Sequence, residues 1–419
     1  MNLKKSVAVV SFGTLLEWME FTFFAYMADF LSHLFFPADD ATLARLKIYE
    51  VFAASYIMRP IGAIIFGHIG DKYGRKTPMI VSLLLMAIAT CGIGVLPTYD
   101  SIGSISSLFL IIFRIIQGVA VGGEFNGAAV LLTEYDKKRP FLAGSWASFA
   151  SAAGMALGSL AATIISYCSG GFMWRIPFLL SALIALAAIY LRRDMKETDD
   201  FRKAKENDEL FEVPISAAWR HNKAGLVCTA AFSVFISVFV YTGNIYFKTM
   251  AVSVGGLPAE QAATAITIGV VLVTVLIPAF ACVADRMNGY KLCFSGLLFA
   301  LFLSPLIMHM AVSGSFIYTL VGQLIYCIID AIVSATAFTI LLRQFKTGTK
   351  YSGSSLAWSV SAAIFGGTAL MVNEFLVSHL RWVGGPGLYM SLSALVCLIT
   401  VGYVCRADRD RRAVLSPPQ

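Results

Sequence analysis

The sequence predicts an all-α membrane protein in which twelve transmembrane helices form two six-helix bundles. Three observations lead to this prediction. Apolar residues make up 58% of the 419 residues and charged residues only 14%, whereas soluble domains carry about 25%. Long, nearly uncharged segments recur along the whole chain, and most are near the length of about 20 residues that a helix needs to cross a bilayer. One polar stretch separates six such segments from six others.

The apolar segments place the individual helices. The first six are expected at about 6–35, 48–70, 77–96, 103–133, 142–167 and 175–192. The second six are expected at about 224–250, 260–283, 291–311, 316–342, 353–379 and 387–405. The acidic residues Glu17 and Glu20 interrupt the first apolar run, so we expect a retained first helix and not a cleaved signal peptide.

The distribution of Lys and Arg predicts the orientation, because basic residues concentrate in cytoplasmic loops. With both termini cytoplasmic, few of the 32 basic residues fall outside the inner loops. Those in outer loops are Arg45, Lys47, Arg175 and Arg381, and those within helices are Arg59, Arg114 and Lys248. The reverse orientation would violate the rule, so we expect both termini in the cytoplasm.

The polar stretch RRDMKETDDFRKAKENDELFEVPISAAWRHNK divides the chain. We expect an N-terminal bundle at 1–192, a cytoplasmic linker at 193–223, a C-terminal bundle at 224–405 and a short cytoplasmic tail at 406–419. The turn GDKYGRK after helix 2 has a weaker counterpart, ADRMNGYK, after helix 8. Two repeated bundles predict a site between them, near the middle of the bilayer.

Several function classes lack their sequence signatures. No GxxxxGK[ST] element for ATP hydrolysis and no zinc-ligand spacing are found. No nucleophile–base pair can be recognised, so an enzyme is not expected. The eight cysteines form no CxxC pair and resemble small packing residues. The net charge of +7 is explained by the basic loops, so no nucleic-acid partner is expected. We further expect a monomer in a lipid bilayer that binds no metal and no cofactor other than the coupling proton.

Two acids in helix 1 are candidates for proton coupling. Glu17 and Glu20 are three residues apart and therefore share one helix face. A charge near the bilayer centre costs about 2.5–3.5 kcal/mol on insertion scales, and a low-dielectric cavity favours the protonated carboxyl group. Glu20 is also a candidate substrate-binding residue. The alternative is a structural pair that Arg59 or Arg114 neutralises.

Helix 4 carries a second polar face. Arg114, Gln117, Val121 and Glu124 follow the spacing i, i+3, i+7, i+10, which is one stripe of a helix. A polar stripe in a membrane must face protein or water. Arg114 offers a planar donor fork that suits a carboxylate, so Arg114 and Gln117 are candidates for substrate binding. An internal ion pair is the alternative for Arg114, and a structural network is the alternative to proton coupling for Glu124.

The remaining candidates are dispersed. Arg59 precedes Pro60 in helix 2 and either binds substrate or, as we favour, stabilises a proline kink through neighbouring carboxylates. In the second half, Tyr241 and Asn244 are three residues apart in helix 7 and could hydrogen-bond substrate. Asp330 in helix 10 is either a second protonation site or the partner of a cation.

Several segments together resemble the metabolite:proton symporter family of the major facilitator superfamily. They are GTLLEWMEFTFFAY, FAASYIMRPIGAIIFGHIGD, GHIGDKYGRK, RIIQGVAVGGEFNGAAVLLTEY, WRIPFLLSALIALAAIYLRRDMKETDDF and AIFGGTALMV. The family includes proline/betaine, 2-oxoglutarate, citrate and shikimate carriers. The match covers most of the N-terminal half and is patchy in the C-terminal half. Met19 and Glu20 stand where the family pattern has Tyr and Asp.

The resemblance implies alternating access, in which two bundles rock about a central site. It also implies that Gly67, Asp71, Gly74 and Arg75 form a conformational gate between the halves and not a substrate site. We therefore expect a proton-coupled symporter in the bacterial inner membrane that takes up a small polar solute with a carboxylate group.

Two other functions stay open on the sequence. A proton-antiport exporter of metabolites or drugs would have the same fold and a more apolar cavity. A non-transporting membrane sensor would usually need an added soluble domain, and the tail after Cys405 is short.

Overall fold

A computed structural model describes residues 3–37, 41–136, 138–166, 172–192, 197, 199–207 and 214–415. The first half contains α1 (Leu3–Tyr26), α2 (Ala41–Lys72), α3 (Lys76–Val95), α4 (Ser104–Tyr135), α5 (Pro140–Ser166) and α6 (Arg175–Arg192). The second half contains α7 (Lys223–Ser253), α8 (Ala259–Arg286), α9 (Gly289–Ala311), α10 (Phe316–Leu342), α11 (Lys350–His379) and α12 (Gly385–Leu415).

The predicted twelve-helix fold is confirmed. Eleven of these helices are long and apolar enough to cross a bilayer, and the twelfth, α6, has a shorter apolar part at Arg175–Tyr190. Three predicted helix ends are wrong. Helix 2 begins at Ala41 and not near residue 48. Helix 1 ends at Tyr26, and a separate short helix covers Ala28–Phe35. Helix 12 continues to Leu415. The charged residues after Cys405 suggested a tail, but charged residues can also continue a helix beyond its apolar segment.

The two halves repeat one packing pattern. In the first half, α1 packs on α5 and α6, α2 on α4, and α3 on α4 and α6. The same pairs recur six helices later, with α7 on α11 and α12, α8 on α10, and α9 on α10 and α12. The halves meet mainly where α5 packs on α8 and α2 on α11. This arrangement is that of a duplicated bundle whose two copies face each other.

Glycines allow α2 and α4 to approach until their backbones touch. A Cβ atom at Gly122 would lie 2.1 Å from the Arg59 carbonyl oxygen, and one at Gly118 would lie 2.0 Å from that of Ser55. Small residues are the usual means by which membrane helices pack closely. The close contact matters because it brings Arg59 of α2 and Arg114 of α4 to the same region.

Two helices of the second half contain π-helical turns. In α7 the turn covers Tyr241–Tyr246, and in α11 the turns cover Ala362–Gly366 and Phe375–His379. A π-turn places an extra residue in the helix and redirects the side chains around it, and such turns are frequent at functional sites. The α7 turn carries both Tyr241 and Asn244, the polar pair singled out from the sequence.

Candidate functional site

A buried polar network starts at Arg114. The Nη1 atom of Arg114 donates to Oε1 of Gln117 at 2.8 Å, and Nη2 donates to Oγ of Ser55 at 3.2 Å. Gln117 then donates to Oγ1 of Thr90 at 2.7 Å, and the Thr90 hydroxyl donates to Glu20. The network thus joins α4, α2, α3 and α1. Arg114 and Glu20 are linked through two intervening side chains and do not form a direct ion pair.

Arg59 lies against aromatic rings. Its guanidinium carbon is 3.6 Å from the ring centre of Tyr56, 4.5 Å from that of Phe21 and 5.8 Å from that of Trp18. Only 3% of Arg59 is exposed. Its Nε and Nη2 atoms have no hydrogen-bond partner among the described residues. The prediction that Arg59 serves mainly to support a kink would leave these donors unused, whereas an incoming carboxylate would accept from both.

The two acids of α1 differ in their surroundings. Both are buried, Glu17 at 3% and Glu20 at 2% exposure. Glu20 accepts from Thr90. Glu17 lies among Ser82 and other residues of α3 and α4, and its charge is near enough to act on Arg59. The spacing of three residues therefore places both acids in the protein interior, where they contact different parts of α3.

A pair of tyrosines connects the halves beside Arg59. The hydroxyls of Tyr56 in α2 and Tyr241 in α7 form a hydrogen bond, and the two rings meet edge to face with centres 5.7 Å apart. Tyr56 is also the ring on which Arg59 stacks. Tyr241 therefore reaches the arginine region of the other half through one intermediate residue, Tyr56, which sequence reasoning did not single out.

The second half has its own buried polar cluster. Asn244 donates to the hydroxyl of Tyr326 at 3.0 Å and accepts from Gln323 at 3.1 Å. Asp330, one helical turn after Tyr326, accepts from Ser334 at 3.0 Å. Asp330 is 5% exposed and Asn244 2%. The cluster gathers the predicted residues Asn244 and Asp330, and adds Tyr326 and Gln323, which the sequence analysis did not identify.

The predicted gate residues lie where α2 meets the start of α11. Asp71 is fully buried and pairs with Arg75. Its carboxylate also accepts from the backbone N–H groups of Tyr351 at 3.4 Å and Ser352 at 2.7 Å. N–H groups in the first turn of a helix have no acceptor within the helix, and a negative charge is favourable there. Asp71 therefore holds the second half against the first.

Arg75 extends this contact. It donates to the Gly70 carbonyl oxygen at 2.7 Å and lies 3.6 Å from a carboxylate oxygen of Glu134. Burial alone would lower the pKa of Arg75, but Asp71 and Glu134 beside it raise the pKa above its ordinary value. The guanidinium therefore stays charged across the physiological pH range, and the contact does not depend on pH through Arg75.

Glycine is required at the two predicted gate positions for different reasons. A Cβ atom at Gly67 would lie 3.0 Å from the Ser352 Cα atom, so Gly67 permits the close approach of α2 and α11. Gly74 has a φ of +120°, a backbone conformation that favours glycine.

A similar contact exists between α8 and α5. The Asp285 carboxylate accepts from the backbone N–H groups of Phe141 at 2.9 Å and Leu142 at 3.0 Å, in the first turn of α5. Asp285 lies in the last turn of α8 as Asp71 lies in the last turn of α2. The weak repeat ADRMNGYK therefore contains a structural counterpart of the turn after α2. We call the end of the bundle with Asp71 and Asp285 the linker end, because α6 ends and α7 begins there.

Aromatic rings from several helices meet between the arginine region and the linker end. Phe125 of α4 lies 5.1 Å from Trp18, 5.0 Å from Phe338 and 5.5 Å from Trp358, measured between ring centres. Phe338 and Trp358 stack on each other at 5.4 Å. These rings come from both halves.

Away from the linker end, α1, α2 and α7 enclose a cavity of about 160 Å³ that includes Tyr26 and Lys248.

One predicted residue cannot be placed fully. Glu124 belongs to α4, but its side chain lies outside the described part of the structure, so its role stays a prediction. Val121, on the same stripe, is 5% exposed, and Arg114 and Gln117 are fully buried.

The comparisons with known proteins fit this architecture. The family profile of the Major Facilitator Superfamily matches residues 11–371. The glycine betaine/proline/ectoine/pipecolic acid transporter OusA of Dickeya dadantii is 28% identical over 423 residues, covering 95% of this chain and 82% of that protein. The proline/betaine transporter of Escherichia coli is 28% identical over 426 residues, covering 95% and 83%.

Solved structures agree at the level of the fold. The xylose transporter XylE from Escherichia coli, in a partially occluded inward-open conformation, superposes with a TM-score of 0.73 at 15% identity, covering 96% of this chain and 97% of that one. The predicted resemblance to the metabolite:proton symporter family, with its proline/betaine carriers, is confirmed by the sequence relatives. The chain therefore belongs to the major facilitator superfamily of membrane transporters.

Proposed function

We propose that this protein is a proton-coupled symporter that imports a small polar solute with a carboxylate group by alternating access. One observation carries the proposal. Two buried arginines from neighbouring helices retain guanidinium N–H groups without partners among the described residues: Nε and Nη2 of Arg59, and Nε of Arg114. Buried donors normally have a partner, so these N–H groups suit an anion that arrives from outside.

The chemistry of these donors favours a carboxylate. A guanidinium group binds a carboxylate through two parallel hydrogen bonds, and both arginines lie against aromatic rings that hold their planes. Arg114 stacks at 4.2 Å on Phe24 and at 4.6 Å on Phe21. An apolar drug would leave the N–H groups unsatisfied, so an exporter of apolar compounds fits this region less well.

Glu20 is the residue that we propose to carry the proton. It lies in the interior of a membrane-spanning helix and is tied to Arg114 only through Thr90 and Gln117. A substrate anion at Arg114 changes the charge felt at Glu20 through this network. Proton binding at Glu20 and substrate binding at the arginines would then favour each other, which is the requirement for symport. Glu17, Glu124 and Asp330 are the other candidates.

The closed linker end supports alternating access. Asp71 and Asp285 hold the two halves together there, whereas a cavity lies between the halves elsewhere. Transport would require these contacts to break so that the bundles can rock. From the distribution of Lys and Arg, we place the linker end and both termini in the cytoplasm and the protein in the bacterial inner membrane, as a monomer.

Uptake into proteoliposomes tests this proposal. Labelled proline, betaine, 2-oxoglutarate, citrate and shikimate are offered with and without an inward proton gradient. We expect gradient-dependent accumulation of at least one of them. Glu20→Gln should abolish accumulation against a concentration gradient while exchange of internal for external solute continues, because Gln cannot release a proton. Arg59→Gln should raise the KM by about tenfold or more, as expected for the loss of hydrogen bonds to a charged group.

Two matched variants control for general damage. Glu260→Gln changes an exposed acid at the start of α8, and Arg220→Gln changes an exposed base before α7. Both should transport like wild type. Uptake that ignores the proton gradient, or accumulation only when the gradient is reversed, would contradict proton symport, and an unchanged KM in Arg59→Gln would contradict the carboxylate site.

A further inference from the structure

The polar cluster of the second half differs chemically from the arginine region. Its charged member is an acid, Asp330, and no Lys or Arg pairs with it among the ion pairs of the described residues. Its other members are the amides of Asn244 and Gln323 and the hydroxyl of Tyr326. All four are at least 95% buried. A lone buried acid among amides is a costly arrangement unless a positive group joins it.

The cluster also holds polar atoms that lack partners. The Oε1 atom of Gln323 is buried with no hydrogen-bond partner among the described residues, while its Nε2 atom already donates to Asn244. The hydroxyl of Tyr26 from α1 is likewise buried without one, and it lies close to Tyr326 and Cys327. An amide oxygen can only accept. The Oε1 atom of Gln323 therefore lacks a donor and Asp330 lacks a cation, whereas the arginine region lacks acceptors.

The α7 π-turn connects the two regions. Tyr241 at its start binds Tyr56, the ring on which Arg59 stacks. Asn244, three residues later, binds Tyr326, one helical turn before Asp330. Both Tyr241 and Asn244 are buried. A solute that contacts this turn can therefore meet donors on one side and acceptors on the other.

We propose that Asp330, with Gln323, Asn244 and Tyr326, binds the N–H groups of a protonated amine, so that the preferred solute is an amino acid whose nitrogen still carries hydrogen. This inference rests on the proposed function, because the carboxylate of the same solute occupies the arginine region. A fully methylated nitrogen keeps the positive charge but donates no hydrogen bond. It would leave the Oε1 atom of Gln323 without a donor and Asp330 without a hydrogen bond to the cation, and a buried acceptor without a donor is costly.

Binding of a quaternary ammonium group to aromatic rings is a weaker alternative near Asp330. Quaternary ammonium groups bind to the open faces of aromatic rings. Near Asp330, however, the ring of Tyr326 stacks on Phe239 with centres 4.9 Å apart, and Phe239 stacks on Phe235 at the same distance. Two of the nearby ring faces are therefore occupied by other rings, and hydrogen bonding to Asp330 is the better recognition mode.

A ligand series that changes only the nitrogen tests the proposal. Isothermal titration calorimetry on the purified full chain in detergent measures binding of proline, N-methylproline, N,N-dimethylproline and cyclopentanecarboxylate. The first three carry two, one and no N–H groups on the same cation, and the last replaces the nitrogen by carbon. We expect affinity to fall by about tenfold or more from proline to N,N-dimethylproline, the size expected for a hydrogen bond to a charged group.

Two variants locate the effect. Asp330→Asn should weaken proline by about tenfold or more and leave cyclopentanecarboxylate unchanged or tighter, because only proline carries the cation. Tyr326→Phe keeps the ring on Phe239 and removes only the hydroxyl, so it should also weaken proline while the protein stays folded. Glu260→Gln is the matched control and should bind all four ligands like wild type.

The outcomes separate this inference from the proposed function. Equal affinity for proline and N,N-dimethylproline in wild type, or equal losses for proline and cyclopentanecarboxylate in both Asp330→Asn and Tyr326→Phe, would overturn the role of Asp330. In that case gradient-driven uptake of a carboxylate solute, with a raised KM in Arg59→Gln, would leave the proposed function intact. Failure of wild type to bind any of the four ligands would overturn the amino-acid preference, and uptake of another carboxylate solute would still support symport.

Discussion

Asp71 and Asp285 make the same kind of contact from equivalent places in the two halves. Each lies in the last turn of a helix and accepts two backbone N–H bonds from the first turn of a helix in the other half. Their surroundings differ. Asp71 is fully buried and paired with Arg75, which lies near Glu134. Asp285 is partly exposed.

The turns after these two acids are also capped differently. After α8, the side chain of Asn288 accepts from the N–H groups of Tyr290 and Lys291 at 3.1 and 3.3 Å. After α2, the carboxylate that accepts from the N–H groups of Arg75 and Lys76, at 2.8 and 2.9 Å, belongs to Glu197. The turn of the second half is therefore self-contained, whereas that of the first half depends on a residue more than a hundred positions away.

The comparison shows how a duplicated contact can acquire two roles. The Asp285 contact is a simple acceptor at a helix start, which water can replace at modest cost. The Asp71 contact is a buried charged network that also includes Lys350, 3.6 Å from Glu134. We expect the network around Asp71 to dominate the stability of the closed linker end, and the following variants test that expectation.

The largest effect is expected from Asp71→Asn. Removing one partner of a buried ion pair costs about 3–5 kcal/mol, and the amide would also turn a donor toward the N–H groups of α11. Hydrogen exchange followed by mass spectrometry should show faster exchange at Tyr351 and Ser352 by about 100-fold or more. Solute uptake by Asp71→Asn should fall as well.

Asp285→Asn is the matched comparison. It should speed exchange at Phe141 and Leu142 by about fivefold, since a partly exposed acceptor contributes about 1 kcal/mol, and leave Tyr351 and Ser352 nearly unchanged. If the two variants produced effects of the same size at their respective helices, the asymmetry argued from burial would be wrong.

An intermediate effect is expected from Gly70→Ala. A Cβ atom there would lie 2.7 Å from the Tyr351 ring, and overpacking of this kind costs about 1–3 kcal/mol. The equivalent residue before Asp285 is Ala284, which already carries a Cβ atom and is buried. The linker end should therefore open more readily in Gly70→Ala, seen as faster exchange at Tyr351.

Ala284→Gly is the control for Gly70→Ala. It removes a Cβ atom where the contact already accommodates one, so it should leave the exchange at Tyr351 unchanged. If Tyr351 exchanged in Gly70→Ala at the wild-type rate, the Tyr351 ring would move aside without cost. The close approach of α2 and α11 would then not control the opening of the linker end.

The smallest effects are expected at the two caps. Glu197→Ala and Asn288→Ala each remove a cap worth about 1 kcal/mol. Asn288→Ala should speed exchange only at the start of α9. Glu197→Ala should speed exchange at the start of α3 and also loosen Arg75, so that Tyr351 exchanges faster as well. If Glu197→Ala speeded exchange only at the start of α3, Glu197 would not contribute to the stability of the network around Asp71.

Much of the fold followed from the sequence for a physical reason. Apolar runs of helix length have few alternatives in a bilayer, because every backbone polar group must be satisfied within the segment. Helix ends such as Phe316–Leu342 and Arg175–Arg192 were predicted to the residue. The break at Met27 and the continuation of α12 to Leu415 were missed, because apolar content does not report a local interruption or a helix that leaves the membrane.

Only part of the candidate site could be predicted from the sequence. Charges within apolar segments are costly, so Glu17, Glu20, Arg59, Arg114 and Asp330 stood out by type alone. Tyr56, Thr90, Gln323 and Tyr326 did not, because uncharged polar residues are common in membrane helices. The feature that would have pointed to Asp285 was the weak repeat after helix 8, and nothing local marked Glu197.

The sequence by itself determined the membrane class, the number of helices and several of the buried charges (Glu17, Glu20, Arg59, Arg114 and Asp330), since these depend on composition and on spacing within single helices. The tertiary structure decided which charges meet. Arg114 reaches Glu20 through Thr90 and Gln117, Arg59 stacks on a tyrosine bonded to the other half, and Asp71 binds the start of α11. These partners lie on different helices, and helix periodicity carries no information about which faces of separate helices will pack together.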